Sequence, residues 1–255
     1  MSWLSKAREK YPLPEEEDAK LTQIMVASVL LTCLIAIACC IILALLRGTP
    51  LFEALTNGWA ANLARALAIG WPISVAVGIV LAGAMLAVAF IAEKIFWRQP
   101  DERENIYEIR RGLNGEIPRL ALWKVACTMV GVGCVEEAGF RYAAIGVITF
   151  IAEPALGFPV AAVIAVAASS AMFAIMHVQY RSPYALGLVG LLGVMLGTVY
   201  ATTGMLTAVI IAHALYDIGN VSFEARKMLR DADYFHGEAP INAVEEEMER
   251  ALKGE

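Results

Sequence analysis

Residues 21–46 read LTQIMVASVLLTCLIAIACCIILALL and carry no charged side chain. A helix that crosses the hydrocarbon core of a bilayer needs about 20 predominantly apolar residues, and this stretch is longer than that. It is also too long for the apolar core of a signal peptide and has no A-x-A cleavage site, so we expect it to remain in the mature protein. The stretch therefore predicts a helix that spans a membrane.

The composition of the whole chain agrees with a membrane protein. Hydrophobic residues make up 59% of the 255 residues and charged residues only 18%, whereas soluble domains average about 45–50% apolar and about 25% charged residues. The net charge of −5 and the lack of a basic block argue against a nucleic acid as partner. The five cysteines show no CxxC pair or disulfide-framework spacing, so we interpret them as small core or lipid-facing residues.

Further apolar stretches follow the first, and the later ones are shorter and separated by little more than a turn. They predict an all-α, polytopic bundle of six to eight transmembrane helices with the active site inside the bundle. The best count is seven, at residues 21–46, 66–92, 120–135, 140–158, 160–180, 184–200 and 205–221. The pattern divides the chain into an N-terminal scaffold with two spans and a cytoplasmic amphipathic segment (1–119), a helical core (120–221) and a polar C-terminal tail (222–255).

Lysine and arginine are unevenly distributed among the segments between the spans. They are concentrated before the first span, between residues 94 and 119 and in the tail, whereas the loop after the first span has only Arg47 and Arg65. The positive-inside rule therefore predicts a cytoplasmic N-terminus. By the same rule the tail is also predicted to be cytoplasmic. Two cytoplasmic ends require an even number of spans, and the count of seven contradicts this.

Three polar segments outside the spans have apolar residues at helical spacing. They lie within residues 1–20, 101–113 and 239–253, and each is predicted to form an amphipathic helix. At the start of the second segment, Asp101 and Glu104 fit a capping box. These helices are interpreted as solvated or interfacial rather than functional.

Ionisable side chains at membrane depth cost about 2.5–3.5 kcal/mol each, and they usually mark a functional site. The first two predicted spans have none through their centres. The later spans contain six such residues inside or at the edge of apolar stretches: Glu136, Glu137, Arg141, His177, His213 and Asp217. The first two helices are therefore interpreted as scaffold, and the later ones as a core built around a polar site.

Three of these residues belong to one segment, residues 133–142, which reads GCVEEAGFRY. Glu137 and Arg141 are four residues apart in the favourable acid-first order, so they can form an ion pair. Glu136 has no partner nearby in the sequence, which favours a chemical role as general base. A buried salt-bridge cluster that only holds helices together explains this segment equally well.

The histidines of the later spans lie in two similar patterns. In SAMFAIMH, Phe173 and His177 lie on one helix face. In HALYD, His213 and Asp217 are again four residues apart, and Asn220 follows on the same face. A lone histidine in an apolar helix is more often a packing residue than a ligand or base. Two of the three histidines of the chain lie near acidic residues in membrane helices, however, and this recurrence favours one shared polar chamber.

Several intramembrane chemistries lack their signature in this sequence. No HExxH motif of a zinc protease occurs, Ser169 and Ser170 lack a glycine-rich nucleophile setting, and no second membrane aspartate accompanies Asp217. Neither membrane histidine has an acid three residues before it, as a di-iron bundle requires. The remaining combination of glutamate and histidine suits the activation of a water molecule for hydrolysis.

The motifs EExxxR (136–141), FxxxH (173–177) and HxxxD (213–217) resemble, in order and spacing, the three signature motifs of the CPBP family. This family comprises intramembrane proteases related to CAAX-processing endopeptidases and to bacteriocin-processing or self-immunity proteins. The resemblance covers residues 120–221. It implies an endopeptidase of a prokaryotic plasma membrane that hydrolyses a peptide bond of a membrane-embedded or lipid-proximal peptide or protein.

The resemblance also implies roles for the residues of the first two motifs. Glu136 and His177 would hold and activate the attacking water, with Glu136 as general base. Glu137 and Arg141 would stabilise the site as an ion pair, and Phe173 would pack beside His177 and shape the chamber.

In the third motif, His213 and Asp217 would orient the substrate carbonyl and stabilise the oxyanion. Prenyl-protein proteases of the family are expected to have Asn where this chain has Asp217, and an ionised aspartate cannot donate a hydrogen bond. This difference weakens the expectation of a prenylated substrate. Asn220 is a substitute candidate for the donor.

The resemblance leaves the cofactor and two other functions open. Glu136, His177 and His213 would suffice as ligands for Zn²⁺ or another divalent metal, although a metal-free, glutamate-dependent mechanism is equally compatible with the motifs. Buried Glu, His and Asp also serve proton relays, so a proton-coupled transporter is an alternative, although the sequence has no evident inverted repeat. A non-catalytic membrane scaffold is the third reading.

Overall fold

Helix is the regular secondary structure throughout the part of the chain that the computed structural model describes, residues 2–178, 182–231 and 234, and no strand occurs in that part. The α-helices there are α1 (Trp3–Lys10), α2 (Glu15–Leu46), α3 (Leu51–Glu53), α4 (Trp59–Ala68), α5 (Ile73–Phe96), α6 (Pro100–Arg111), α7 (Leu113–Glu116), α8 (Leu122–Glu136), α9 (Gly146–Leu156), α10 (Phe158–Ile175), α11 (Pro183–Thr203) and α12 (Leu206–Arg230). Two π-helical segments (Ala54–Gly58 and Glu137–Ile145) and a 3-10 turn (Ile117–Arg119) connect some of them.

Six helices of the described residues are long and apolar enough to cross a membrane: α2, α5, the continuous helix Leu122–Leu156, α10, α11 and α12. The prediction of a polytopic all-α membrane bundle is therefore confirmed. The best count of seven was wrong, because the predicted spans 120–135 and 140–158 form one helix. Six spans are an even number, so the count now agrees with the expectation that both ends of the chain lie in the cytoplasm.

The two predicted spans are joined because nothing between them ends a helix. The linking residues contain no proline and no glycine with positive φ, and the backbone widens into the π-helical segment instead of turning. The helix ends only at Gly157, whose φ of 75° favours glycine. As a result, Glu136 and Arg141 lie in the middle of a long helix rather than in a loop.

The second span also begins later than its apolar pattern suggests. The sequence predicts a helix over residues 66–92, whereas α5 begins at Ile73. Gly70, with a φ of 73°, and Pro72 interrupt the helical path before that point. The chain between α2 and α5 instead forms the short helices α3 and α4 at one end of the bundle.

The two amphipathic helices predicted in the N-terminal half are present as α1 and α6. Leu4 and Ala7 of α1 pack against Ala225 and Met228 near the end of α12. The predicted capping box of α6 is wrong, because that helix begins at Pro100 without a side-chain cap.

The amphipathic helix predicted at residues 239–253 lies outside the described residues.

Helix α12 occupies the centre of the bundle and packs against α5, α8 and α11. Two glycines allow its neighbours to approach closely, as small residues do between membrane helices. A Cβ atom on Gly78 of α5 would lie 2.7 Å from the carbonyl oxygen of Ala208, and one on Gly133 of α8 would lie 3.3 Å from the amide nitrogen of Ala214. The contact at Gly133 holds the part of α12 that carries His213 against the helix that carries the glutamates, and the contact at Gly78 holds α12 against α5.

We expect Gly78→Ala to destabilise the protein by about 1–3 kcal/mol, because the new Cβ would meet the backbone of α12, which cannot move aside cheaply. The matched control is Gly83→Ala in the same helix, where a Cβ meets nothing within 4 Å. Thermal unfolding in detergent measures both variants, and the control should unfold at or above the wild-type midpoint. Equal midpoints for the two variants would contradict the close packing of α5 on α12.

Candidate active site

Glu137 and Arg141 form a buried ion pair in the π-helical segment. The Nε atom of Arg141 lies 3.1 Å from Oε2 of Glu137, and the side chains are 1% and 0% exposed. The i,i+4 pair expected from the sequence is therefore present. Two charges without solvent contact stabilise a fold only while both remain, because each alone would be an uncompensated buried charge.

The same glutamate holds the histidine of the third motif. The Nδ1 atom of His213 lies 2.7 Å from Oε1 of Glu137. A carboxylate accepts hydrogen bonds, so the ring donates its Nδ1–H to Glu137, and this bond fixes both the tautomer and the ring orientation. Sequence reasoning missed this contact, since it joins residues 76 positions apart, and no local spacing signals it.

The other nitrogen of His213 faces two further carboxylates. Its Nε2 atom lies 3.7 Å from Oε2 of Glu136 and 3.4 Å from Oδ2 of Asp217. The side chains of Glu136 and Asp217 are 17% and 20% exposed, whereas Glu137 is sealed. Glu136 and Asp217 are thus the partly exposed carboxylates of this cluster, and the Oε2 atom of Glu136 is buried without a hydrogen-bond partner among the described residues.

Aromatic rings form one wall of the cluster. The Phe173 ring packs edge-on against Phe140, with centroids 5.3 Å apart, and lies 5.9 Å from the ring of His213. The guanidinium carbon of Arg141 lies 4.5 Å from the centroid of Phe173, a distance at which the ring face attracts a cation. Phe173 therefore supports Arg141 and His213 at once.

Ser169 supports the widened helix from the neighbouring α10. Its hydroxyl donates a hydrogen bond of 2.7 Å to the carbonyl oxygen of Phe140, within the π-helical segment. Such a donor satisfies backbone groups where the regular i→i−4 pattern is altered. In the sequence Ser169 was considered only as a nucleophile and set aside, so this structural role was not foreseen.

His177 lies just beyond the end of α10, and its ring centroid is 4.7 Å from that of Phe173. Its Nδ1 atom lies 2.8 Å from the carbonyl oxygen of Phe173. The carbonyl can only accept, so Nδ1–H donates and the lone pair of a neutral ring is on Nε2. Burial lowers the pKa of His177 below its usual value, with the hydrogen bond to Phe173 opposing the change. The ring is thus neutral, and able to accept a proton, at neutral pH.

Asn220, considered as a substitute donor, lies one turn beyond Asp217 on α12 and is exposed. Within the described residues it makes no hydrogen bond with the cluster. The polar groups that face the two ring nitrogens of His213 are instead the carboxylates of Glu136, Glu137 and Asp217.

A metal at this site would need a ligand set. Within the described residues, no group of three or more His, Cys, Asp or Glu side chains is arranged to hold a metal ion. The Nδ1 atom of His213 is occupied by Glu137, and the expected set of Glu136, His177 and His213 is not gathered in this geometry. Metal binding therefore stays a prediction, and no step below depends on it.

The fold and the cluster define a polytopic membrane protein with Glu, His and Asp side chains shared between internal helices. Residues 118–219 match the model of a protein family described as type II CAAX prenyl endopeptidase Rce1-like. The match confirms the relation to CAAX-type intramembrane proteases that the three motifs indicated, and it includes every motif residue. No curated protein and no solved structure matches the chain.

Proposed function

We propose that this protein is an intramembrane endopeptidase of the CAAX-protease type that hydrolyses a peptide bond of a membrane-embedded or lipid-proximal substrate. The observation that carries the proposal is the convergence of Glu136 and Asp217 on Nε2 of His213. The cluster lies within residues 118–219, the part of the chain that matches the Rce1-like family model. Carboxylates and imidazoles in such an arrangement can move a proton and stabilise developing negative charge.

Glu136 acts as the general base in this proposal. It is the accessible glutamate, and it is not part of the ion pair of Glu137 with Arg141. Glu136 takes a proton from the attacking water while the water oxygen bonds to the carbonyl carbon, and it then delivers the proton to the leaving amine nitrogen. The Nε2 lone pair of His177 accepts the second hydrogen of the water and orients it.

His213 stabilises the oxyanion. With Nδ1–H held by Glu137, the ring is fixed with Nε2 toward Glu136 and Asp217, and an Nε2–H in that direction can donate to an oxyanion that forms beside these carboxylates. Asp217 then acts by orienting His213 and balancing its charge, so an aspartate here needs no donor of its own. This role also accounts for Asp217 in place of the Asn expected in prenyl-protein proteases.

The experiment uses purified protein in nanodiscs with peptides that carry a C-terminal CAAX sequence, with and without a prenyl group. Mass spectrometry should detect cleavage products, and comparison of the two peptides tests whether a lipid is recognised. Proton-coupled flux in proteoliposomes without proteolysis of either peptide would reject the proposal in favour of a transporter.

We expect His177→Ala to lower the rate of cleavage by about 10²–10⁴-fold, the range for losing a positioned proton acceptor. Folding should be preserved, because His177 lies at a helix end and is not fully buried. His236→Ala, at the histidine of the polar tail, is the control and should cleave normally. Equal loss in both variants would contradict a specific role for His177.

The proposal includes an orientation, with the N-terminus in the cytoplasm of a prokaryotic cell. It is supported by the distribution of lysine and arginine and by the six spans, which return the chain to the side on which it began. Reporter fusions at the N-terminus and after Arg47 should therefore report opposite sides of the membrane.

A further inference from the structure

A polar pocket, separate from the Glu/His/Asp cluster, lies at the opposite end of the bundle from α1 and α6. It is a cavity of about 330 Å³ between the end of α2, helix α4 and the turn from α11 to α12. The polar side chains that line it are Arg47, Asn62, Arg65, Tyr142 and Tyr200. None of these residues takes part in the Glu/His/Asp cluster, so the pocket has no role in the hydrolysis proposed above.

The charge of this pocket is unbalanced. Two arginines line it and no acidic residue does. Arg65 donates to the side-chain oxygen of Asn62 and to the carbonyl of Ala61, and the guanidinium carbon of Arg47 lies 5.8 Å from the ring centroid of Tyr142. Within the described residues neither arginine forms an ion pair with a carboxylate. Two cations and no carboxylate among the lining residues give the pocket a positive potential, which attracts an anion.

The hydrogen-bond donors of the pocket suit an anion with several oxygens. Guanidinium groups bind phosphate in a bidentate manner, and the tyrosine hydroxyls and the amide of Asn62 can each donate one more bond. Tyr142 is almost fully buried and therefore forms the floor, whereas Arg47 and Arg65 are exposed at the mouth. An anion that enters the mouth thus meets both cations first.

The surroundings of the mouth place it at a membrane surface. Arg47 directly follows α2, one of the six spans. Trp71, two residues beyond the pocket-lining Ile69, is 63% exposed, and tryptophan is enriched at the level of lipid headgroups. A phosphate at that depth would reach the two arginines without crossing the hydrocarbon region.

We propose that Arg47 and Arg65, together with Asn62, Tyr142 and Tyr200, form a binding site for a phosphate group, carried by an anionic phospholipid or present as free phosphate. The exposed Trp71, close in sequence to the pocket-lining Ile69, favours the phospholipid.

The test measures phosphatidylglycerol binding to delipidated full-length protein by native mass spectrometry. The R47Q/R65Q variant should bind the lipid at least about tenfold more weakly, since it loses charge-assisted hydrogen bonds. The matched control is R98Q/R103Q, which makes the same change in charge at two exposed arginines near α6, and it should stay within about twofold of wild type. R47K/R65K keeps the charge but loses the bidentate geometry, so it should bind with intermediate affinity.

A second arm distinguishes the two sources of phosphate. Inorganic phosphate is titrated into the same protein at constant ionic strength. Displacement of the lipid by millimolar phosphate, with loss of this effect in R47Q/R65Q, would assign the site to free phosphate, and lipid binding without displacement would assign it to the headgroup. The proposal is overturned if neither ligand binds, or if R98Q/R103Q loses as much affinity as R47Q/R65Q.

Discussion

Glu136→Gln is expected to lower peptide cleavage by about 10²–10⁴-fold while the protein folds and unfolds like wild type. Glutamine has nearly the shape of glutamate but cannot take a proton from water at neutral pH. Because Glu136 is partly exposed and its Oε2 atom lies 3.7 Å from His213, the substitution removes a charge without leaving an unpaired charge in a sealed site. The cleavage rate and the thermal midpoint are measured on the same preparation.

The control for this variant is Glu153→Gln. Glu153 lies in the same continuous helix, Leu122–Leu156, but is exposed near its end. It should leave both cleavage and stability unchanged. Normal cleavage by Glu136→Gln would remove Glu136 from the role of general base and reject the proposed mechanism.

Glu137→Gln is expected to reduce both stability and activity. It leaves the charge of Arg141 buried without its partner, which costs about 3–5 kcal/mol, and it weakens the bond that orients His213. Loss of stability is what distinguishes this variant from Glu136→Gln, although the two glutamates are adjacent in sequence. Thermal unfolding and the cleavage assay together measure the difference.

A double variant separates the two contacts of Glu137. Glu137→Gln with Arg141→Met removes both buried charges, so it should recover much of the stability, whereas His213 still lacks its charged acceptor and activity should stay low. A double variant no more stable than Glu137→Gln alone would contradict the ion pair as the source of the loss.

Glu16→Gln provides the matched surface control. Glu16 and Lys20 form an i,i+4 pair at 3.0 Å, but their side chains are 78% and 30% exposed. Exposed pairs contribute about 0–1 kcal/mol, because solvent already stabilises both charges. Glu16→Gln should therefore change the free energy of unfolding little. If it lowered stability as much as Glu137→Gln does, burial of the ion pair would not be the cause of the loss in Glu137→Gln.

The sequence indicated much of this arrangement because the relevant signals are local. Long uncharged stretches predict spans, and motifs at four-residue spacing predict which side chains share a helix face. The pair of Glu137 with Arg141 and the proximity of His213 to Asp217 were foreseen on this basis. The number of spans was harder to predict. A brief interruption of an apolar stretch can be a loop between two helices or a π-helical segment within one helix, and the apolar pattern is the same in both cases.

The sequence by itself therefore determined that this is a helical membrane protein with buried Glu, His and Asp side chains. Only the tertiary structure decided that Glu137 joins Arg141 to His213, and that Arg47 and Arg65 line one pocket. The physical reason is the same in each case. Hydropathy and helical periodicity act over one or two turns, whereas contacts between distant helices depend on which small residues allow the backbones to approach.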